Sequence, residues 1–506
     1  MGRLDCSLYY INNAYICRST NGKGGTDEMM HMIKKNILAI LMLCVGAFAL
    51  QAKVVPAPVF ADGMVLQQQT EAALWGTAKP NSKVVITTTW SKSKTTVKSD
   101  ADGKWSAKLS TPVAGGPYEI TFNDGEKRTL ENVLIGEVWI CSGQSNMEMP
   151  LKGFEAQPVA DAADAIFSAK VSQPVRVCML KKTVAYDVKD ECQARWLEHS
   201  PAQIGDASAT AYFFAKRLQE TLDIPVGVVV VAVGGSPIEA WMNEGILRNE
   251  FGNEFDFAHL KNKKRTRGKA HHDPCVLYNG MLHSVAGYTA KGFVWYQGCA
   301  NVADPSQYRR LQPAFVQMLR SEWQNENMSF YYTQLAPHKS NTPDMMWIQA
   351  LNTYEIPNSA MATTHDLGDY TCIHPANKKD LGDRIAYLAL TRDYGMNVID
   401  AMVPMPIKYE YGEGEAIVTF NVGPMGLSPR SRDLDGFEMA GEDGVFYPAK
   451  AVVLRGGEHK SKAIKVYRCP EVVKPVAVRY AWSRWCPSTL FNCSDIPVTP
   501  FNSTVR

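Results

Sequence analysis

Val133-Leu134-Ile135-Gly136-Glu137-Val138-Trp139-Ile140, running through Cys141-Ser142 into Gly143-Gln144-Ser145-Asn146-Met147, is the stretch on which the fold turns. A mostly apolar run of this kind reads as a strand buried on both faces, as in a parallel sheet covered by helices. The valine-built run 226–233 repeats the pattern and ends in Gly234-Gly235. Gly292-Phe293-Val294-Trp295-Tyr296 and Phe330-Tyr331-Tyr332-Thr333-Gln334 follow it. Amphipathic helical patterns over 207–221 and 308–323 lie between these runs. Strands alternating with helices predict a three-layer α/β domain over 131–403. Functional residues in such sheets collect at the carboxyl ends of the strands.

Outward from this domain the pattern changes. Over 53–130 short β-prone runs alternate with turns: Val84-Val85-Ile86-Thr87-Thr88-Thr89-Trp90 is a strand candidate, and Ala101-Asp102-Gly103 and Asn123-Asp124-Gly125 are turn signals. This predicts a small β-sandwich-like module. From 404 to 506 β-type runs return, as in Glu415-Ala416-Ile417-Val418-Thr419-Phe420 and Ala477-Val478-Arg479-Tyr480-Ala481-Trp482, and predict a second β module.

Lys34-Lys35 precedes an apolar run from Ile37 to Leu50 with small residues at its end, the pattern of a secretory signal peptide over 30–52. That run is short for a bilayer span. The polar residues 1–29 before it are read as a doubtful extension, with translation starting at Met30 or Met32. Export to a periplasm or the extracellular space would permit disulfides among the nine cysteines from Cys141 to Cys493. A net charge of +2 gives no reason to expect nucleic acid or an anionic membrane as partner. No metal-ligand spacing appears, and His271-His272-Asp273 reads as a solvated loop.

Four fragments carry chemistry. Gly143-Gln144-Ser145-Asn146-Met147 offers a serine after a buried strand, Gly234-Gly235 a tight turn, and Trp295-Tyr296-Gln297-Gly298-Cys299-Ala300-Asn301 an asparagine amide. Cys372-Ile373-His374-Pro375 offers an imidazole. Together these are a nucleophile, oxyanion donors and a general base, the parts of an acyl-transfer site. Met147 breaks the Gly-x-Ser-x-Gly pattern of the α/β-hydrolase elbow. Glu239 is the sole acid inside the glycine fragment Gly234 to Trp241, so the facing carboxylate pair of a glycosidase is absent from the four fragments.

The ordered set resembles the SGNH hydrolase superfamily and, within it, the sialate O-acetylesterase family of carbohydrate esterases. Gly63-Met64-Val65-Leu66-Gln67-Gln68, Gly103-Lys104-Trp105, Tyr278-Asn279-Gly280-Met281, Gln334-Leu335-Ala336-Pro337 and Val478-Arg479-Tyr480-Ala481-Trp482 extend the resemblance from about residue 55 to the C-terminus. It implies a flavodoxin-like SGNH domain and a serine esterase that removes O-acetyl groups from a sugar, sialic acid first, with no cofactor. Ser145 would be the nucleophile and His374 the base. Gly235, with Gly234 as fallback, Asn301 and the Ser145 N–H would form the oxyanion hole.

The chain departs from the family pattern at two points. The acid that orients the histidine often lies three residues before it, where this chain has Thr371; Asp366 and Asp369 are nearby acids without the expected spacing, and a backbone carbonyl or a water is an equal alternative. Cys299 stands where the family often has glutamate, and Cys372 lies two residues before His374. If Asn301 and His374 reach one reacting carbon, a Cys299–Cys372 disulfide becomes feasible. Two other functions stay open: an acetylesterase acting on xylan or pectin, and a glycan-binding protein whose catalytic centre has decayed.

Overall fold

The computed structural model describes residues 53–486 and 488–505; the leader expected over 30–52 and the extension before it lie outside these residues. A mixed sheet forms the middle of the molecule. Its strands are β1 (Lys127–Gly143), β2 (Val175–Leu180), β3 (Ala194–Glu198), β4 (Val226–Ala232), β5 (Gly292–Tyr296), β6 (Ser329–Thr333) and β7 (Ser359–Ala362). They lie in the order β3-β2-β4-β1-β5-β6-β7, parallel throughout except for the β2–β3 pair.

The continuous apolar runs do what their composition requires. All seven residues of β4 are buried, as are all five of β5 and all five of β6. Each fully buried valine contributes roughly 1.5–3 kcal/mol relative to exposure. Both faces are covered, and helices supply much of the cover. Helix α2 (Ala209–Leu222) starts at its N-cap Ser208, whose hydroxyl accepts from Ala211 N–H. Helix α5 (Lys378–Arg392) starts at Asn377, whose side chain accepts from Asp380 N–H, and packs along α2. Helices α3 (Pro305–Glu322) and α4 (Pro343–Glu355) pack against each other. The short helix α1 (Ser145–Glu148) follows β1 directly.

Register sets the site. Gly143, the last residue of β1, pairs with Ala232 at the end of β4 on one side and with Tyr296 at the end of β5 on the other. The chain therefore leaves three neighbouring strands at one level, and the serine, glycine-turn and asparagine fragments emerge side by side.

Strand β1 has two roles. Its first half pairs antiparallel with Gly115–Asn123 in the N-terminal β region, and its second half is the centre of the main sheet. A boundary drawn at 130/131 falls inside it. The N-terminal region also holds an antiparallel sheet of Val55–Pro56, Glu71–Thr77 and Lys104–Ser110. Lys104–Ser110 alternates exposed and buried residues, as expected where one face meets a core. The C-terminal region contributes two four-stranded sheets and returns to the α/β region: Trp347 Nε1–H, from α4, donates to Val505 O at 2.9 Å and His365 Nδ1–H to Val498 O at 3.1 Å.

One expectation shifts. The strand expected over 84–90 ends at Thr88, and after a turn a new strand runs Ser91–Lys98. In the antiparallel β2–β3 pair, Arg176 and Glu198 face each other across the strands at 3.0 Å.

Candidate active site

Gly143 ends β1 with φ +145°, and a Cβ there would stand 2.2 Å from the Tyr296 carbonyl oxygen. Only glycine permits that approach. Gln144 N–H then donates to the same carbonyl at 3.0 Å, and Ser145 opens α1 half-buried at the strand end.

His374 reaches this serine from the loop between β7 and α5. Its Nε2 lies 2.7 Å from Ser145 Oγ, and its Nδ1 lies 2.5 Å from Gln157 Oε1. A carboxamide oxygen only accepts, so Nδ1 carries the proton and Nε2 is free to accept from the serine. Burial, and then the charges of Lys378 and His338, push the imidazole down to about 4. The hydroxyl thus faces an unprotonated ring nitrogen across the neutral pH range.

Gln157 is the residue that sequence reasoning missed. A tight turn, closed by reciprocal backbone hydrogen bonds between Phe154 and Gln157 at 3.0 Å, presents both side chains to His374. The Phe154 ring meets the imidazole edge-on at 5.3 Å. Neither acid weighed for this position touches the histidine. Asp366 is held by Arg384 at 2.6 and 2.7 Å, and Asp369 is exposed and accepts from Thr371 and Cys372 N–H within its own loop. Each carboxylate is already committed, and the orienting place belongs to a neutral amide.

On the other side of the serine, Gly234 N–H donates to Glu148 Oε2 at 2.6 Å and is thereby occupied. Gly235, at φ +74°, has an N–H with no acceptor among the described residues, and so has Ser145. Asn301 Oδ1 accepts from Ile238 N–H at 3.0 Å and Gln297 Nε2–H at 2.7 Å, which fixes the amide's orientation. Its Nδ2 donates one hydrogen to Glu239 Oε2 at 2.9 Å, leaving the second unused. Glu239 is buried and is tied to Arg267 at 2.9 Å.

Arg267 belongs to the loop that carries His271-His272-Asp273, and this cluster is not a solvated loop. Asp273 is fully buried and accepts from Thr266 and Arg267 N–H, because the loop closes on it. A Cβ on Gly235 would stand 3.6 Å from His271 Nε2 and 4.0 Å from His272 Nε2, so the histidines wall the glycine turn. No group of three or more His, Cys, Asp or Glu among the described residues is placed to hold a metal.

Cys299 and Cys372 are free thiols rather than the disulfide considered above. Cys372 Sγ–H donates to the His374 carbonyl at 3.3 Å, burial raises the Cys299 thiol to about 11, and both face the ammonium of Lys378. Each sulfur has its own surroundings, with a buried amine close to both.

A hydroxyl aligned on an imidazole whose other nitrogen is tied down, beside unused N–H donors, is equipped for acyl transfer. Residues 135–391, about half of the chain, match the family described as carbohydrate esterase, sialic acid-specific acetylesterase. Sialate O-acetylesterases of Pongo abelii and Homo sapiens are each 27% identical, covering 87% of this chain and 90% of theirs. The crystal structure of a carbohydrate acetylesterase from Xanthomonas citri superposes with a TM-score of 0.80 at 30% identity, over 90% of this chain and all of the other. The chain is an esterase and belongs to the sialic acid-specific acetylesterase family of carbohydrate esterases.

Proposed function

We propose that the protein is an exported serine esterase that removes O-acetyl groups from sialic acid through an acyl-enzyme, on a three-layer SGNH scaffold. The observation that carries this reading is the Ser145–His374–Gln157 chain of hydrogen bonds. Ser145 Oγ attacks the acetyl carbonyl while His374 Nε2 takes its proton; the imidazolium then protonates the departing sugar oxygen. Water repeats the sequence on the acetyl-serine and releases acetate. The N–H groups of Gly235 and Ser145 and the free hydrogen of Asn301 Nδ2 receive the oxyanion. Loss of one such donor typically costs about 10²–10³ in kcat. Glu239, held by Arg267, keeps the Asn301 amide aimed.

Gln157 holds the tautomer as a triad acid would but adds no negative charge. That favours a working site over a decayed binding protein, since the base retains an orienting partner. The sialate O-acetylesterase relatives favour sialic acid. The Xanthomonas structure, described only as a carbohydrate acetylesterase, is the reason to keep acetylated plant polysaccharide as the second reading. The test is acetate release from O-acetylated sialic acid and from acetylated xylan, wild type beside Ser145→Ala. Serine-dependent release from sialic acid is expected. Release from xylan alone would keep the chemistry and replace the substrate, and release by neither route would return the chain to glycan binding.

A further inference from the structure

Lys378 is the first residue of α5, four positions past His374, and none of its surface is exposed. A buried ammonium is costly unless a counter-charge accompanies it. Among the described residues no carboxylate does so. Its Nζ donates to Asn146 Oδ1 and stands 5.7 Å from the centre of the Tyr296 ring. The titratable groups that face it are the thiols of Cys299 and Cys372 and the His374 imidazole, which His338 also faces.

Asn146 is the link between the two reacting residues. It follows Ser145 directly, and its Nδ2 donates to the carbonyl of Ile373, the residue before His374, at 3.0 Å. Its own carbonyl accepts from Thr210 Oγ1 at 2.9 Å. Lys378 therefore grips, through one side chain, the backbone on both sides of the Ser145–His374 hydrogen bond.

We propose that Lys378 is a positioning residue that registers Ser145 against His374 through Asn146, and that deprotonation of Lys378, not of His374, sets the neutral-pH limb of activity. This rests on the acyl-transfer reading above. When His374 takes the serine proton it becomes an imidazolium whose Nδ1 partner is the neutral Gln157. No carboxylate among the described residues offsets that charge, and an ammonium on Lys378 opposes it. Burial pushes Lys378 down to about 7, against about 4 for His374. Below about pH 7 the lysine is charged and disfavours the imidazolium; above it the amine is neutral and the opposition disappears. Activity then rises through about pH 7, although the histidine is already unprotonated well below that.

The test is the pH dependence of kcat and kcat/KM on 4-nitrophenyl acetate for the full-length chain, Lys378→Met and Lys378→Arg. The wild-type His374 ring is titrated by NMR alongside, its signal assigned with His374→Gln. In the wild type, activity rises about tenfold or more across the neutral range. Lys378→Met loses that limb, with the fall in kcat exceeding any change in KM. Lys378→Arg keeps a donor for Asn146 but is charged throughout, so it stays low with no limb near 7. The His374 ring titrates well below the kinetic limb. A limb that persists in Lys378→Met, or a ring midpoint that coincides with it, overturns the proposal. The ring titration decides even where the variants do not fold. Hydrolysis surviving in Ser145→Ala would instead remove the acyl-transfer reading, and is seen before any Lys378 variant is made.

Discussion

The His374 ring touches three side chains: Ser145 on Nε2, Gln157 on Nδ1 and Phe154 against its edge. Gln157→Ala removes the hydrogen bond that fixes the tautomer and lowers kcat by roughly a hundredfold, the lower end of what positioned acid–base catalysis contributes. Gln157→Glu supplies a carboxylate at the same place, raises the imidazole above its present value of about 4 and moves its titration toward neutrality. Both effects are read from steady-state rates against pH, and an unchanged rate in Gln157→Ala would show that the amide is a bystander. Ser145, His374, Gly235 and Asn301 stood out because each sits in a fragment with recognisable neighbours, and the structure brings the first two within 2.7 Å. Gln157 did not stand out. It lies 217 residues from His374 in an irregular turn, and its residue type is not the acid that the pattern leads one to seek. Glu239 was visible only as an isolated acid, since its partners Arg267 and Asn301 come from separate loops.

At the level of elements, the site depends on three strand ends held level, and Gly143 is the tightest point of that arrangement. Gly143→Ala places a methyl group 2.2 Å from the Tyr296 carbonyl at a φ of +145°. The strands must separate or the turn must move, at a cost of roughly 2–4 kcal/mol by the standards of backbone strain and steric overlap. Urea denaturation measures it, and a midpoint within error of wild type would mean the contact relaxes freely. Strands β4, β5 and β6 were readable because burial on both faces leaves only apolar residues. Strand β2 did not stand out because Arg176 interrupts its apolar residues after Val175, and that guanidinium is buried against Glu198 of β3 and Asn132. Pairing across a sheet is invisible to a reading along the chain. The helix expected from 207 begins at Ala209 because Ser208 is spent as its cap.

For the whole molecule, the N- and C-terminal β regions are packed onto the α/β region. Tyr288 Oη–H donates to Val65 O at 2.8 Å, and His365 is buried against the C-terminal segment through Val498. That burial holds His365 down to about 4, as it does His374. Unfolded histidines bind protons from about pH 6.5 downward, whereas these two stay neutral in the fold until about 4. The unfolded chain therefore takes up more protons over that window, and stability falls as the pH drops from about 6.5 to about 4. Urea midpoints at pH 7 and pH 5 test this: the lower value is expected at pH 5, and equal values would contradict it. Composition announced β-rich flanks, but not that β1 would run unbroken from one into the central sheet, because strand length depends on partners supplied elsewhere.

The measurement that bears most directly on the Ser145–His374–Gln157 site is peptide mass spectrometry of the protein mixed with an activated acetyl ester and quenched in acid. One acetyl group on the peptide containing Ser145, absent in Ser145→Ala and reduced in Gln157→Ala, is the expected result. Ester turnover with no acetyl on Ser145, or with acetyl on another residue, would contradict it.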